Sequence, residues 1–587
     1  MISIRIKSTQ YIQTICTCIV LLVSCGVYAQ TNYIPFGDKA NIVLDRLEIK
    51  TRLSDLSFSA VKPYMRRNAA RNVEWIDSVA AADSVYAKAI NLTPVDKENM
   101  LHLLMNNSEW SKPREYYKSK NDVFNALYKN KGNLLEVNND EFFLAINPVV
   151  LFTGGKEDDN KDILFQNTRG LSARGMIMKR VGFYAYFTEN QERDPRFVNN
   201  WVDSFDAIPN NGNFKEKTYG DNQILDYFDA RGAVSWNVAK YIDMQFGYDK
   251  NFFGNGYRSL LMSDFSNNST FLKINTRIWK FNYQNLFMEL YARTGSGGNE
   301  YFPRKYARIN YLNINATKWL NLGVYEAIVF GRENMFDIQY MIPVIFLRPS
   351  EMNVGSEDNS VVAFDFKANI AKKVQVYGQF MLDELKVKEI LNNNKWWGNK
   401  QALQLGAKYI DAFGINNLDL QGEVNYVRPY TYQHFDETGD VQPIAAFVHY
   451  NQPFAHPLGA NFKEYIGIAR WQPMHKLYIQ GTFIHYAQGL DSAGINMGSW
   501  PTSDYYNRPR DPETGKLIDY GYKIGDGILA NCNIFQGVAS YELFENMFLD
   551  GTFYYRNLKR EDEIDAHKTV TFSLSLRWNI MRRDFMF

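Results

Sequence analysis

The sequence has little cysteine, almost no net charge and no long apolar segment beyond its first residues. Only four of 587 residues are cysteine, and three of them precede residue 26, so Cys532 stands alone in the rest of the chain. An intrachain disulfide framework is therefore excluded there. The formal net charge is +1, which indicates no nucleic acid or other polyanion as a partner. After residue 29, no apolar run reaches the roughly 18–20 residues of a spanning helix.

Aromatic residues, in contrast, are abundant. They make up 15% of the chain, with 38 Tyr and 40 Phe, while charged residues make up only 22%. This mixture is typical of strands with one apolar and one polar face. If the chain crosses a bilayer, it must do so as a closed barrel, because only helices and closed barrels satisfy all backbone hydrogen bonds in lipid.

Residues 1–29 have the pattern of a secretory signal peptide. A basic start precedes an apolar core at 15–23, and the small residues Val27 and Ala29 predict cleavage after Ala29. Residues Leu-Val-Ser-Cys before that point resemble a lipobox, which would instead lipidate Cys25. Cleavage is the favoured interpretation, since a barrel needs no lipid anchor.

Residues 30–140 differ from the rest because their apolar spacing is helical. Thr93 followed by Pro94 is a typical helix start, and a further helix is expected near Asn72 and another after Ser119. We predict a small α-helical periplasmic domain over this segment, followed by an outer-membrane β-barrel over 141–587.

From residue 141 the sequence alternates between apolar and polar residues in short runs, as β-strands with two unlike faces do. We predict about 18 antiparallel strands, an even number as in bacterial barrels. The predicted strands are 142–153, 164–176, 179–189, 228–238, 241–250, 270–280, 281–293, 304–316, 319–331, 360–371, 373–383, 401–411, 415–430, 463–472, 475–488, 528–541, 546–557 and 568–580.

The connections between these strands alternate between short and long. Starting from a periplasmic helical domain, every short turn falls on the periplasmic side and every long loop outside, which is typical of outer-membrane barrels and has no reason to occur in a soluble sandwich. One strand departs from the pattern: Phe281 and Tyr283 do not share parity with Leu286 and Met288, which predicts a β-bulge or a wrong boundary there.

The last strand shows the alternation most clearly, over 569–580, and it is expected to pair with 546–557 and with 142–153 to close the sheet. The chain then ends in Phe585 and Phe587. We interpret these aromatics as a signal for the barrel-assembly machinery. The polar residues that follow the strand allow it either to end at the inner membrane surface or to continue there with a phase slip.

No catalytic or metal-binding motif is present, so we expect no enzyme, cofactor or metal. The seven histidines have no ligand spacing, and those of the probable external loop, His449 and His456, are expected to be solvated. Strand carboxylates such as Asp365, Asp419 and Glu423 are expected to form ion pairs in the lumen with strand lysines, including Lys367 and Lys408.

Two predicted external segments have the composition of a sugar-binding surface, with aromatic faces beside polar groups. Residues 251–265 combine glycines with Tyr257 and Arg258, and the glycines predict a defined backbone. Residues 489–527 contain several aromatic and polar side chains. The candidate polysaccharide-binding residues of this second loop are Trp500, Tyr505, Tyr506, Asn507 and Arg508. A loop folded inward to plug the barrel is the alternative.

Residues 248–263, followed by Phe271-Leu272-Lys273-Ile274, resemble the capsule-assembly Wzi family of outer-membrane proteins, in particular its long members from gliding bacteria. Further similar motifs are Ile34-Pro35, Asp45-Arg46-Leu47-Glu48, Lys62-Pro63-Tyr64 with Arg66-Arg67, and Asn147-Pro148. The resemblance implies an 18-stranded barrel with a helical bundle near its periplasmic mouth and a non-catalytic role with surface polysaccharide. Our leading hypothesis is a barrel in outer-membrane lipid that binds, retains or helps assemble capsular polysaccharide. The alternatives are a diffusion porin for small solutes and an accessory to gliding motility or adhesin display.

Overall fold

The alternating segments form antiparallel strands that close into a barrel in the computed structural model, which describes residues 32–119, 127–218, 223–292, 302–332, 335–343, 358–434 and 444–587. Within these ranges the barrel wall has eighteen strands, as predicted. They are β1 (Phe142–Glu157), β2 (Ile163–Ile177), β3 (Val181–Arg193), β4 (Leu225–Ala239), β5 (Ile242–Asp249), β6 (Ser269–Ile278), β7 (Phe281–Tyr291), β8 (Arg304–Asn315), β9 (Leu320–Phe330), β10 (Asn359–Ile370), β11 (Val374–Glu384), β12 (Lys400–Tyr409), β13 (Leu418–Val427), β14 (Phe462–Met474), β15 (Leu477–Leu490), β16 (Ile528–Phe544), β17 (Met547–Arg560) and β18 (His567–Trp578).

The last strand closes the barrel. Leu574 of β18 lies opposite Gly551 of β17 on one side and opposite Gly154 of β1 on the other. The predicted pairing of 569–580 with its two neighbours is therefore confirmed, and no edge of the wall is left unpaired at this seam.

The outer face of the barrel is apolar. On β18, Phe572 and Leu574 are 62% and 67% exposed, whereas Thr569, Thr571 and Ser575 on the inner face are buried. Other strands place exposed apolar side chains on the same outer surface, among them Phe152, Leu171, Phe187, Phe246, Phe364, Leu405, Phe483 and Phe535. Such a band is the surface that lipid covers in barrels of this kind.

The two ends of the barrel differ in the length of their connections, as the parity of the loops predicted. One end has the turns 178–180, 240–241, 279–280, 316–319, 371–373, 410–417, 475–476 and 545–546. We call it the short-turn end. The opposite end, the loop end, has the longest connections, which include 194–224, 250–268, 331–358, 428–461 and 491–527. Among the described residues, no helix is both long and apolar enough to span a bilayer.

In the described residues before the wall there are four helices: α1 (Lys39–Thr51), α2 (Arg66–Ala82), α3 (Ser84–Ile90) and α4 (Pro94–Met105). Helices α5 (Arg196–Phe205) and α6 (Val387–Leu391) lie in loops, and brief 3-10 turns occupy Glu115–Tyr117, Ile338–Met341, Ala412–Gly414 and Tyr505–Asn507. The predicted start of α4 is confirmed, because Thr93 accepts from the amide of Asp96 and the Asp96 carboxylate accepts from that of Thr93. The helix expected near Asn72 begins earlier, and the one expected after Ser119 falls largely on residues outside the described ranges.

Helices α1–α4 cover the short-turn end through buried ion pairs. Arg46 of α1 reaches Asp411 at 2.9 Å, and Lys50 bridges Asp411 at 2.8 Å and Asp96 at 2.7 Å. At the N-terminal end of α1, Lys39 pairs with Glu542 at 2.6 Å. Since Asp411 and Glu542 lie in or beside short turns of the wall, the helical segment and the barrel are held together by charge as well as by packing.

The lumen ion pairs form, but their partners differ from the expected ones. Lys367 pairs with Glu48 of α1 at 2.8 Å, and Lys408 pairs with Asp45 of α1 at 2.7 Å. Asp365 instead accepts a hydrogen bond from the hydroxyl of Tyr311 at 2.8 Å. These two lysines of the wall thus neutralise acids of the helical segment rather than acids of neighbouring strands.

The lumen contains folded chain from both ends of the barrel. Residues 250–268 enter it, and Phe252–Phe253 there pairs with Val61–Lys62 from the helical segment. Leu260 and Met262 of this segment belong to one apolar core with inward side chains of the wall, including Leu286 and Met288. β7 pairs with both neighbours without a register shift. The predicted bulge is therefore wrong. The apolar residues change sides along β7 because part of its inner face contacts the apolar core in the lumen.

The chain leaves the wall after Trp578 and turns back into the lumen. Phe585 and Phe587 are only 8% and 5% exposed. The hydroxyl of Tyr554 donates to the main-chain oxygen of Phe585 at 2.9 Å, and Arg556 donates to that of Phe587 at 3.0 Å. The strand thus ends near Trp578 and does not continue to the final aromatics, which lie inside the barrel.

Candidate functional site

Tyr257 and Arg258, two of the candidate binding residues, lie inside the lumen rather than on an external loop. The carboxylate of Glu423 on β13 accepts from the main-chain amides of Tyr257 at 2.7 Å and Arg258 at 3.1 Å. A Cβ added at Gly256 would lie 2.5 Å from the same carboxylate, so a glycine permits this approach. The predicted defined backbone of 251–265 is present, but its external position was wrong.

The described parts of the next long connection, 428–434 and 444–461, also fold inward and bury two histidines that were expected to be solvated. His456 lies 2.7 Å from Glu464, and neither residue is exposed. His449 contacts the main-chain amide of Tyr291 at 3.1 Å. Burial lowers the pKa of His449 to about 4, so this ring is neutral at pH 7. Both histidines therefore hold the loop inside the barrel, which is why the expectation of solvated rings was wrong.

Trp500 belongs to what we call the inner aromatic cluster, formed by Trp201, Phe205, Phe265, Trp500 and Phe587. Trp500 stacks on Phe205 with ring centroids 4.3 Å apart, and Trp201 lies 4.7 Å from Phe587. Helix α5 supplies Trp201 and Phe205. The cluster thus joins the long loop 491–527 to the final residues of the chain, and it gives Trp500 a packing role.

Tyr505 and Tyr506 belong to a second group, the loop-end aromatic cluster, together with Trp396 and Trp397. Tyr505 lies 5.1 Å from Trp397 and 4.9 Å from Tyr506 between ring centroids. The guanidinium of Arg508 lies 4.3 Å above the Trp397 ring. An aromatic group of this kind with a stacked cation is rigid and presents flat apolar faces beside hydrogen-bond donors.

Main-chain hydrogen bonds join the two loops that form the loop-end aromatic cluster. The amide of Trp397 donates to the carbonyl of Asp519 at 3.0 Å, and the amide of Gly521 donates to the carbonyl of Asn394 at 3.1 Å. Arg508 also pairs with the Asp519 carboxylate at 2.6 Å. The cluster is therefore held in place by backbone contacts and does not depend on its side chains alone.

The structure brings together four of the seven candidate binding residues, from Tyr505 to Arg508. Of these, Tyr506 is 37% exposed and Asn507 is exposed, whereas Arg508 is buried beneath the rings. Sequence reasoning missed Trp396 and Trp397, although two adjacent tryptophans after a run of polar residues were a visible indication. It missed them because a sequence does not show which loops meet.

One further group of potential ligand atoms lies at the short-turn end, where atoms of His102, Glu542 and Glu545 fall within 4.8 Å of one another. The ammonium of Lys39 contacts both carboxylates, at 2.6 and 3.0 Å. Since this cation already pairs with both acids and His102 contacts Glu545, the group is an ion-pair network between α1, α4 and the wall.

The wall, its apolar outer band and the filled lumen define the fold of an outer-membrane β-barrel. Among solved structures the chain is similar to Wzi of Escherichia coli, described as an outer-membrane protein involved in group 1 capsule assembly and a carbohydrate-binding β-barrel. The TM-score is 0.54 and the identity 12%, over 95% of this chain and 100% of that one. At this identity the likeness shows the fold.

Matches to porin structures are weaker. OprD of Pseudomonas aeruginosa has a TM-score of 0.39 and 11% identity, over 74% of this chain and 94% of its own. OccK8 of the same organism has a TM-score of 0.40 and 8% identity, over 74% and 97%. No protein-family model and no curated protein matches the sequence.

Proposed function

We propose that this protein lies in the outer membrane and binds surface or capsular polysaccharide at its loop end, without catalysing a reaction on it. The observation that carries the proposal is the loop-end aromatic cluster, a rigid group of rings with Tyr506 and Asn507 open to solvent. Flat ring faces stack on the C–H faces of sugars, and amide and guanidinium groups bond their hydroxyls. The carbohydrate binding stated for the similar Wzi barrel supports the same role.

The orientation we propose places the loop end outside the cell and helices α1–α4 in the periplasm. Short periplasmic turns and long external loops are the rule in such barrels, and α1 contacts the short-turn end through Arg46 and Asp411. A signal peptide at 1–29 would deliver the helical segment to that side. The proposed polysaccharide site then faces the cell surface.

A role in retention fits the interior of the barrel better than a role in diffusion. The segment 250–268 and the final residues around Phe587 both lie in the lumen, packed against inward side chains of the wall. A polysaccharide held on the outer loops does not need an open path. Participation in gliding motility or adhesin display would add to this role, and a deletion strain scored for capsule and for motility separates the two.

The test removes the exposed part of the cluster. Tyr506→Ala combined with Asn507→Ala is expected to weaken binding of isolated surface polysaccharide about tenfold, since one aromatic contact and its neighbouring hydrogen bonds contribute about 1–2 kcal/mol. Phe413→Ala is the matched control, because Phe413 is an aromatic residue 77% exposed at the short-turn end. Binding is measured on cells and on purified barrel.

Heat-modifiable migration confirms that each variant is folded. Unchanged retention by the folded double variant would refute the assignment of this surface. A second variant, Trp500→Ala with Tyr505→Ala, is expected to weaken binding as well. It is less specific, because it also removes the stacking of Trp500 on Phe205 in the inner aromatic cluster.

A further inference from the structure

A cleft at the short-turn end lies between the helical segment and the inner face of the wall. The space open to the centre of a water molecule in it is about 90 Å³. The helical segment supplies Tyr33, Tyr64 and Asn72 to its lining, and β6 and β7 supply Lys273, Asn282 and Gln284. The cleft is thus at the opposite end of the molecule from the loop-end aromatic cluster.

Lys273 is the unusual residue of this lining. It is only 2% exposed, and its ammonium lies 4.8 Å from the centroid of the Tyr33 ring. Within the described residues it has no hydrogen-bond acceptor and no ion-pair partner. Other buried inward lysines have one, since Lys305 donates to the Ala446 carbonyl at 2.7 Å and Lys367 pairs with Glu48 at 2.8 Å. A buried ammonium without an acceptor is costly, and a bound anion would satisfy it.

The amides around Lys273 also lack protein partners. Nε2 of Gln284 is buried and has no acceptor among the described residues. Asn72 and Asn282 are 6% and 5% exposed, and in the described parts of the chain their side chains form no hydrogen bond. Amides in protein interiors are normally bonded to protein groups or to water, so these amides offer hydrogen-bonding groups to a polar occupant of the cleft.

We propose that this cleft binds an acidic sugar unit, with its carboxylate on Lys273 and its hydroxyls on the amides of Asn72, Asn282 and Gln284. Amides both donate to and accept from hydroxyls, an ammonium pairs with a carboxylate, and the tyrosine rings of the lining suit the apolar face of a pyranose. The choice of a sugar rests on the proposed function. The placement adds a second saccharide site, on the side where a chain would arrive before export.

The experiment uses the full-length protein in detergent and titrates it with glucuronate, with glucose and with acetate by calorimetry. Glucuronate is expected to bind at least tenfold more tightly than either of the others, since only glucuronate provides carboxylate and hydroxyls together. Lys273→Met should weaken glucuronate binding tenfold or more. Lys305→Met is the matched control, because it removes a buried lysine of the same wall outside the cleft and should leave the affinity unchanged.

Absence of glucuronate binding to the unaltered protein would overturn the proposal, as would equal affinity for acetate or an unchanged affinity in Lys273→Met. If Lys273→Met does not fold, Gln284→Leu tests the same site, and an unchanged affinity there overturns the assignment equally. The Tyr506→Ala/Asn507→Ala variant separates the two sites. It should keep glucuronate binding at the cleft while it loses polysaccharide at the loop end, so either site can fail alone.

Discussion

Replacing Arg46 tests whether charge holds the helical segment on the barrel. Its guanidinium contacts Asp96 at 3.0 Å within the helical segment, and at the wall it contacts Asp411 at 2.9 Å, Asn417 at 3.2 Å and the carboxylate of Asp419. Arg46 is 6% exposed. Arg46→Met keeps much of its volume but leaves buried carboxylates without their main cation.

The expected cost follows from which acids lose their partner. Lys50 remains within 2.7 Å of Asp96 and 2.8 Å of Asp411, so these two acids stay paired. Within the described parts of the chain, the ion pair of Asp419 is with Arg46 alone. Breaking a buried pair by removing one member costs about 3–5 kcal/mol. With Lys50 in place, we expect the docking free energy of the helical segment to fall by about 3 kcal/mol.

Hydrogen exchange of the α1 and α4 amides measures this docking directly. A loss of about 3 kcal/mol should raise the exchange rates of these amides more than a hundredfold, while amides of the wall keep theirs. Arg114→Met is the matched control in the same segment, since Arg114 pairs with a half-exposed Asp77 at 3.0 Å and such pairs contribute at most about 1 kcal/mol. Equal exchange in both variants would refute the reasoning.

Three further outcomes are expected. Although burial raises the pKa values of Asp411 and Glu545, cations of α1 lower both to about 2, from 3.8 and 4.5. Their contribution to docking should therefore be complete above about pH 4.5 and disappear as the pH falls through 2, and α1 exchange that is constant across this range would contradict it. Phe585→Ala with Phe587→Ala should reduce heat-modifiable protein in the outer membrane, because each buried ring contributes about 3–5 kcal/mol, and normal amounts would argue against both packing and an assembly signal. In planar bilayers the protein should not conduct steadily, whereas replacing 250–268 by a short Gly-Ser linker should create conductance, and an open native channel would contradict the filled lumen.

The wall was predictable from the sequence because lipid imposes one requirement on every strand face that it covers. An outward side chain in contact with lipid must be apolar, so most strands carry their own period of two, and the parity of the loops follows from the hairpin order. β6, for instance, was predicted at 270–280 and lies at Ser269–Ile278. Except where β18 meets β1, neighbouring strands are also neighbours in sequence, so most of the topology needed no distant information.

The loops were not predictable in the same way. Residues 250–268 fold inward, as do the described residues 444–461, because apolar side chains such as Leu260 and Phe447 pack in the core inside the barrel. The pairing of Tyr505 with Trp397 joins residues more than a hundred positions apart. No local sequence pattern encodes such long-range contacts. The residue types of the candidate site could therefore be predicted from the sequence, and its geometry could not.

The alternation of apolar and polar residues changes phase along β7, and this change indicates what the two faces of the strand contact. On β7 to β9 the usual sidedness is reversed: Leu286 and Ile309 face the apolar core of the lumen, while Asn285, Asn310 and Glu326 lie on the outer face, each at most 2% exposed. The outer three are joined by hydrogen bonds of 2.8 and 3.2 Å.

Lipid cannot cover such a polar group, and the chain itself does so. On the same outer face, Arg308 donates to the main-chain carbonyl of Tyr340 at 2.9 Å, and Tyr340 packs with Phe330 and Phe336 against the wall. Because β7 keeps its register, the change of phase marks a change in what each face contacts. An inward apolar face requires a filled lumen, and an outward polar face requires a covering segment. Where the apolar–polar alternation of a barrel strand changes phase without a register shift, we therefore expect both a filled lumen and a segment that covers the outer face.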